Sequence, residues 1–107
     1  MVVPLWTIDL LNNSLSGELP NQWKQSKRLF ELDFSSNNLE GEIPSSMGSL
    51  TSLFSLHLSR NTLSGVLPAS LSSCNRLNLL DLGENDFDGV MVPYFQDWRY
   101  SAIPHAS

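Results

Sequence analysis

The apolar positions of this chain return every 24 residues. The stretch 53–68, LFSLHLSRNTLSGVLP, shows one whole copy, with leucine at 53, 56, 58, 63 and 67, Asn61 among them, and Gly65 and Pro68 closing it. The leucine that starts each copy is Leu5, Leu29, Leu53 and Leu77, the asparagine is Asn13, Asn37, Asn61 and Asn85, and the glycine is Gly17, Gly41, Gly65 and Gly89. Early in each copy apolar and polar residues alternate, as where Ile8 and Leu10 separate Thr7, Asp9 and Leu11, which predicts a short half-buried strand. One turn of chain carries each strand to the next, so the strands lie parallel, about 4.8 Å apart, and the rest of the turn is the return connection. The pattern predicts an α/β-type repeat solenoid over residues 1–93, with four turns starting near 5, 29, 53 and 77. Short parallel strands would line its concave face, and irregular or 3₁₀ turns its convex face.

The fixed positions between strands have physical roles. An asparagine amide offers both donors and an acceptor, so Asn13, Asn37, Asn61 and Asn85 should form a structural ladder that satisfies backbone groups at the bend after each strand. The glycine four residues later suits a positive φ or a close approach. The proline beyond it, Pro20, Pro44 and Pro68, fixes φ before an outer turn, and Trp23 should point inward from the first of these turns. The fourth copy breaks late, with Val92 where proline is expected and Pro93 one place on. Residues 94–107 leave the pattern, and their aromatic run 94–100 would either cap the open end of the last turn or be sequence foreign to the repeat.

Composition narrows the function. At 107 residues with 41% hydrophobic content, the chain is one ordinary folded domain. Its 6 basic against 11 acidic residues give a net charge of −5, which argues against nucleic acid and anionic membranes as partners. The single cysteine, Cys74, permits no internal disulfide and sits where the previous copy has the core residue Leu50. No apolar run reaches membrane-spanning length, and the start of the chain has no secretory-signal pattern.

The segments LSGELP at 15–20, LEGEIP at 39–44 and LSGVLP at 63–68 carry a more specific likeness. A 24-residue period with L-x-x-L-x-L-x-x-N-x-L is the leucine-rich-repeat signature, and these segments resemble its plant-specific class, close to LxxLxxLxLxxNxLSGxIPxxLxxLxx. The resemblance covers residues 5 to about 93. It implies a second short strand on one flank at L-S-G-x-I-P. It also implies an extracellular surface that binds a protein or peptide ligand, with a co-receptor, as in ectodomains of plant receptor-like proteins and receptor-like kinases active in defence or development. Polygalacturonase-inhibitor-like binding of a cell-wall hydrolase is the alternative, and a truncated product without autonomous function the third. The chain departs from the family in its few repeats and in having neither signal peptide nor paired-cysteine caps, so it resembles an internal slice of such a protein, whose parent would be anchored in the plasma membrane.

The strand positions that face away from the leucines define the candidate binding residues: Asp9, Leu11 and Asn12 in the first turn, and Glu31, Asp33 and Ser35 in the second. His57, Ser59 and Arg60 follow in the third turn, and Asp81 and Glu84 in the fourth. One column reads Asp9, Asp33, His57, Asp81, and His57 is its departure, expected to tune binding with pH. Trp6, Phe30 and Phe54 form an aromatic row beside these strands, either shielding the core edge or anchoring a ligand. Asn12-Asn13-Ser14 is a glycosylation sequon with Asn12 as acceptor. Ser59, His57 and a neighbouring aspartate nominally supply a nucleophile, base and orienter. The face is open and has no oxyanion loop, so no catalysis is expected. No ligand set for a metal and no cofactor motif is present.

Overall fold

A computed structural model describes residues 4–87. Gly89, Val92, Pro93 and the segment 94–107 lie outside the described residues. The chain winds as a solenoid with two parallel sheets. The concave sheet contains β1 (Trp6–Asp9), β3 (Leu29–Asp33), β5 (Ser55–His57) and β7 (Leu79–Asp81), and the flanking sheet contains β2 (Ser16–Glu18), β4 (Asn38–Gly41), β6 (Thr62–Gly65) and β8 (Asp86–Phe87). The return segments are 3₁₀ turns at Ser45–Ser49 and Ala69–Ser73, each following a proline held extended (φ −71° at Pro44, −68° at Pro68). No α-helix occurs among the described residues, so the sheet is returned by 3₁₀ and irregular turns alone.

The concave sheet keeps the 24-residue register: Ile8 lies beside Leu32, Leu32 beside Leu56, and Leu56 beside Leu80. These leucines stack into one interior, in which Leu32, Leu56, Leu58, Leu63 and Leu71 are 0% exposed. Burying a leucine side chain stabilises by about 1.5–3 kcal/mol, and close packing adds to that. The outer turns close the same interior: Trp23, Met47 and Leu71 occupy equivalent places and are all buried. Trp23 also donates its indole N–H to the Pro20 carbonyl at 2.6 Å. Cys74 takes the place of Leu50 and is buried beneath Met47, 3.5 Å from its carbonyl oxygen. Burial pushes the thiol up from 9.0 to about 11, against a smaller lowering by the Leu50 backbone.

The flanking sheet follows a different interval. Ser16 pairs with Asn38, Glu40 with Thr62 and Ser64 with Asp86, each 22 residues apart. This two-residue offset lays a glutamate stem from one turn across the glycine of the next. A Cβ on Gly65 would stand 2.6 Å from the Glu42 Cγ, and one on Gly41 3.0 Å from the Glu18 Cγ. Both glycines also hold positive φ, +77° and +82°, so conformation favours glycine at both, and at Gly65 a side chain would also have to push the Glu42 stem aside.

Asparagine completes the stacking. Asn37 accepts the backbone N–H groups of Asn13 and Leu15, both at 2.9 Å, and donates to the carbonyls of Leu10 (3.0 Å) and Phe34 (2.8 Å). Asn61 and Asn85 repeat this one and two turns on, accepting from Leu39 and Leu63 and donating to Phe34 and Leu58 of the preceding turn. The ladder therefore runs from side chain to backbone, not from amide to amide. Asn13 stands apart: it is exposed, and its side chain donates to Leu11 of its own turn. The contacts of this asparagine reach backward, and among the described residues no turn lies behind the first.

Candidate functional site

Of the candidate residues, Leu11, Asp33, Ser35, His57, Ser59, Arg60, Asp81 and Glu84 line one open depression, and Asp9, Asn12 and Glu31 stand outside its lining. Asp9, Asp33, His57 and Asp81 lie in register across β1, β3, β5 and β7. The two first aspartates have a local task. Asp9 accepts the Leu11 backbone N–H at 3.1 Å and Asp33 that of Ser35 at 2.9 Å, closing the bend after each strand. His57 puts an imidazole where the first two turns have that carboxylate acceptor.

His57, with its side chain 22% exposed, stands between two carboxylates. Nε2 is 4.0 Å from Glu31 Oε2, and Nδ1 is 3.7 Å from Asp81 Oδ2. Both carboxylates already accept hydroxyls at 3.1 Å, Glu31 from Ser55 and Asp81 from Ser59. Arg60 and Glu84, exposed at the margin, pair at 2.8 Å across neighbouring turns. The hydrogen bond to Glu84, followed by its charge, raises the Arg60 pKa. His57, Ser59, Asp81, Arg60 and Glu84 line an open depression of about 420 Å³, with Asp33 and Ser36 beside them, Leu11 (48% exposed) at its first-turn end and Gly83 at the other.

Ser35 differs from expectation. It is 6% exposed, and its Oγ lies 3.3 Å from that of Ser59. It backs the depression, covered by the neighbouring turn whose Ser59 hydroxyl reaches it, whereas Leu11, which closes the same kind of bend at the first turn, stays exposed. The nominal nucleophile and base are likewise not paired: the Ser59 hydroxyl is engaged by Asp81 and Ser35, and no hydrogen bond joins it to His57 among the described residues. Nor do three or more His, Cys, Asp or Glu side chains gather to hold a metal ion among the described residues.

A feature missed in the sequence is the backbone just before each ladder asparagine. Asn12, Ser36, Arg60 and Glu84 all hold positive φ, between 56° and 59°. Ser36, Arg60 and Glu84 so held line the depression, and Asn12 lies outside its lining. Only Asn12 is a residue type that signals the conformation. In Ser36, Arg60 and Glu84 nothing in the residue type announces it.

The family model described as Leucine Rich Repeat matches residues 28–50 and 52–74. No curated protein sequence matches the chain. Among solved structures, the chain is 34% identical to one in the crystal structure of the BIR3–SERK2 complex from Arabidopsis thaliana, covering 91% of this chain and 54% of that one at a TM-score of 0.83. It is 41% identical to one in the structure of the Arabidopsis receptor kinase HAESA with the peptide hormone IDA and the co-receptor SERK1, covering 77% and 14% at a TM-score of 0.73. The plant peptide hormone receptor RGFR1 in complex with RGF2 gives 38% identity over 76% and 13%, also at 0.73. This chain thus spans about half the length of the first of these chains and a smaller part of the others. The parallel-stranded solenoid with a leucine interior and an asparagine ladder is the leucine-rich-repeat fold, and the chain belongs to the plant-type leucine-rich-repeat proteins.

Proposed function

We propose that this chain recognises a protein or peptide through its concave face, as part of an extracellular receptor-like ectodomain in plant signalling, in defence or development, and that it performs no chemistry on its ligand. The observation that carries the reading is the depression around His57. It gathers Leu11, carboxylates, hydroxyls and an ion pair on an exposed parallel sheet, and solenoids bind through such faces. The peptide-hormone complexes among the similar structures support the same class of ligand, and the presence of a co-receptor in one of them supports a second protein partner. Asn12 is exposed, and in a secreted protein it would carry the glycan that its sequon specifies.

The test is a selection from a phage-displayed random dodecapeptide library on the full chain. Enriched peptides should bind the chain at least about tenfold more tightly than a Leu11→Arg, Glu84→Arg variant, which alters two exposed positions of the depression. Equal binding to both proteins, in a competition assay with the free peptides, would remove the concave face as the recognition surface.

A further inference from the structure

Three successive turns place an aromatic ring at the start of a concave strand: Trp6, Phe30 and Phe54. The Phe30 and Phe54 rings are stacked, with centroids 5.1 Å apart and planes 5° from parallel. Shielding accounts for part of this row, since Leu29, Leu53 and Leu56 are fully buried. It leaves the rest unexplained: Trp6 remains 48% and Phe54 39% exposed. Single exposed aromatics are ordinary, whereas a stacked Phe30–Phe54 pair with Trp6, beside Leu29 of the next strand, at the same end of the sheet is the kind of apolar surface that marks an interaction site. Along the strip runs a negative lane. Glu31 is 45% exposed and Asp81 30%, and Asp9 and Asp33 continue it in the same sheet. Of the two basic groups nearby, Arg60 is held by Glu84, and His57 stands between Glu31 and Asp81.

We infer that strip and lane together dock one extended peptide segment in which lysine or arginine side chains stand close to apolar ones. The inference rests on the concave-face reading above and adds the ligand's chemistry. The apolar strip is satisfied only by apolar side chains. Covering Glu31 and Asp81 without a counter-charge would leave carboxylates desolvated and unpaired, so an acidic or neutral segment is rejected. His57 stands inside the lane, facing Glu31 and Asp33 of β3 and Asp81 of β7, with Ser55 and Ser59 on its own turn and the Arg60–Glu84 pair at the margin.

The dodecapeptides selected at about pH 7.5 supply the probe. Enriched sequences should combine lysine or arginine with leucine, isoleucine or an aromatic residue. They should bind about tenfold more weakly to Glu31→Gln, a same-shape change at an exposed position, and to Trp6→Ser with Phe54→Ser. Enrichment of acidic or uncharged peptides, or full affinity in both the Glu31→Gln and the aromatic variants, overturns the basic–apolar assignment and leaves concave recognition standing. Peptides that also bind the Leu11→Arg, Glu84→Arg variant equally well, or no enriched peptide at all, count against both.

Discussion

The first and third turns carry the same motif and lead different lives. In the third, Leu56 is 0% exposed and Asn61 7%, while in the first Ile8 is half-buried and Asn13 exposed. Leu10 of the first turn is half-buried, whereas its counterpart Leu58 in the third is fully buried. The residue types match, so the difference comes from neighbours. A turn in the middle of the stack is covered on both sides, and its asparagine finds backbone partners in the turn behind. A repeat here is a unit of sequence, and the pair of adjacent repeats is the unit of stability.

Paired substitutions sharpen that contrast. The largest expected effect is Leu56→Ala, which removes a fully enclosed side chain and should cost about 3–4 kcal/mol. Ile8→Ala, at the half-covered end, should cost about 1 kcal/mol by lost burial alone. Urea-unfolding midpoints of the two variants would measure the gap, and equal losses would mean that the layers do not stack as described. Next is Asn61→Ala, which leaves the Leu39 N–H and the Phe34 and Leu58 carbonyls without their side-chain partner. It should cost about 2–3 kcal/mol, against less than about 0.5 kcal/mol for the exposed Asn13→Ala. Amide hydrogen exchange at Leu39 gives a local reading, because that N–H should lose its protection only in the Asn61 variant.

A smaller effect separates the glycines. Gly17 and Gly65 both hold positive φ, but only Gly65 lies under a glutamate stem. Gly17→Ala should cost about 1 kcal/mol for conformation. Gly65→Ala should cost about 2 kcal/mol, with Glu42→Ala restoring part of it, as thermal melts of the double variant would show. The smallest effect belongs to Cys74. Its thiol is raised from 9.0 to about 11, so the folded chain holds this proton more tightly than the unfolded one. The stability it contributes is complete below the unfolded value and falls as pH rises through the interval between the two. The loss should be under about 1 kcal/mol near pH 9.5. Cys74→Ala should flatten the slope there, and a thiol reagent should modify Cys74 only as fast as the chain opens.

Much of this molecule was legible from spacing. The leucines at 29, 32, 53 and 56 and the inward Trp23 follow from a period that only a solenoid satisfies, and the positive φ of Gly17, Gly41 and Gly65 from glycine at one place in each copy. The site was legible as a set of columns but not as a set of contacts. Asp33 lines the depression and also closes a bend, which its column does not announce, Ser35 reads as exposed and is covered, and the left-handed step at Ser36, Arg60 and Glu84 has no residue signature. His57 drew notice because it broke its column, and its two carboxylate neighbours come from turns on either side.

What the amino-acid order determined alone is the layer: which residues turn inward, where the chain bends and how often the pattern returns, because period and residue type are properties of a single strand of chain. The stacked structure decided the rest. The concave sheet pairs residues 24 apart and the flanking sheet residues 22 apart, so the groups that meet across a layer are chosen by how one bent turn seats on the next. That seating buried three asparagines and left the fourth in water, and it brought Glu31 and Asp81 to opposite sides of one histidine.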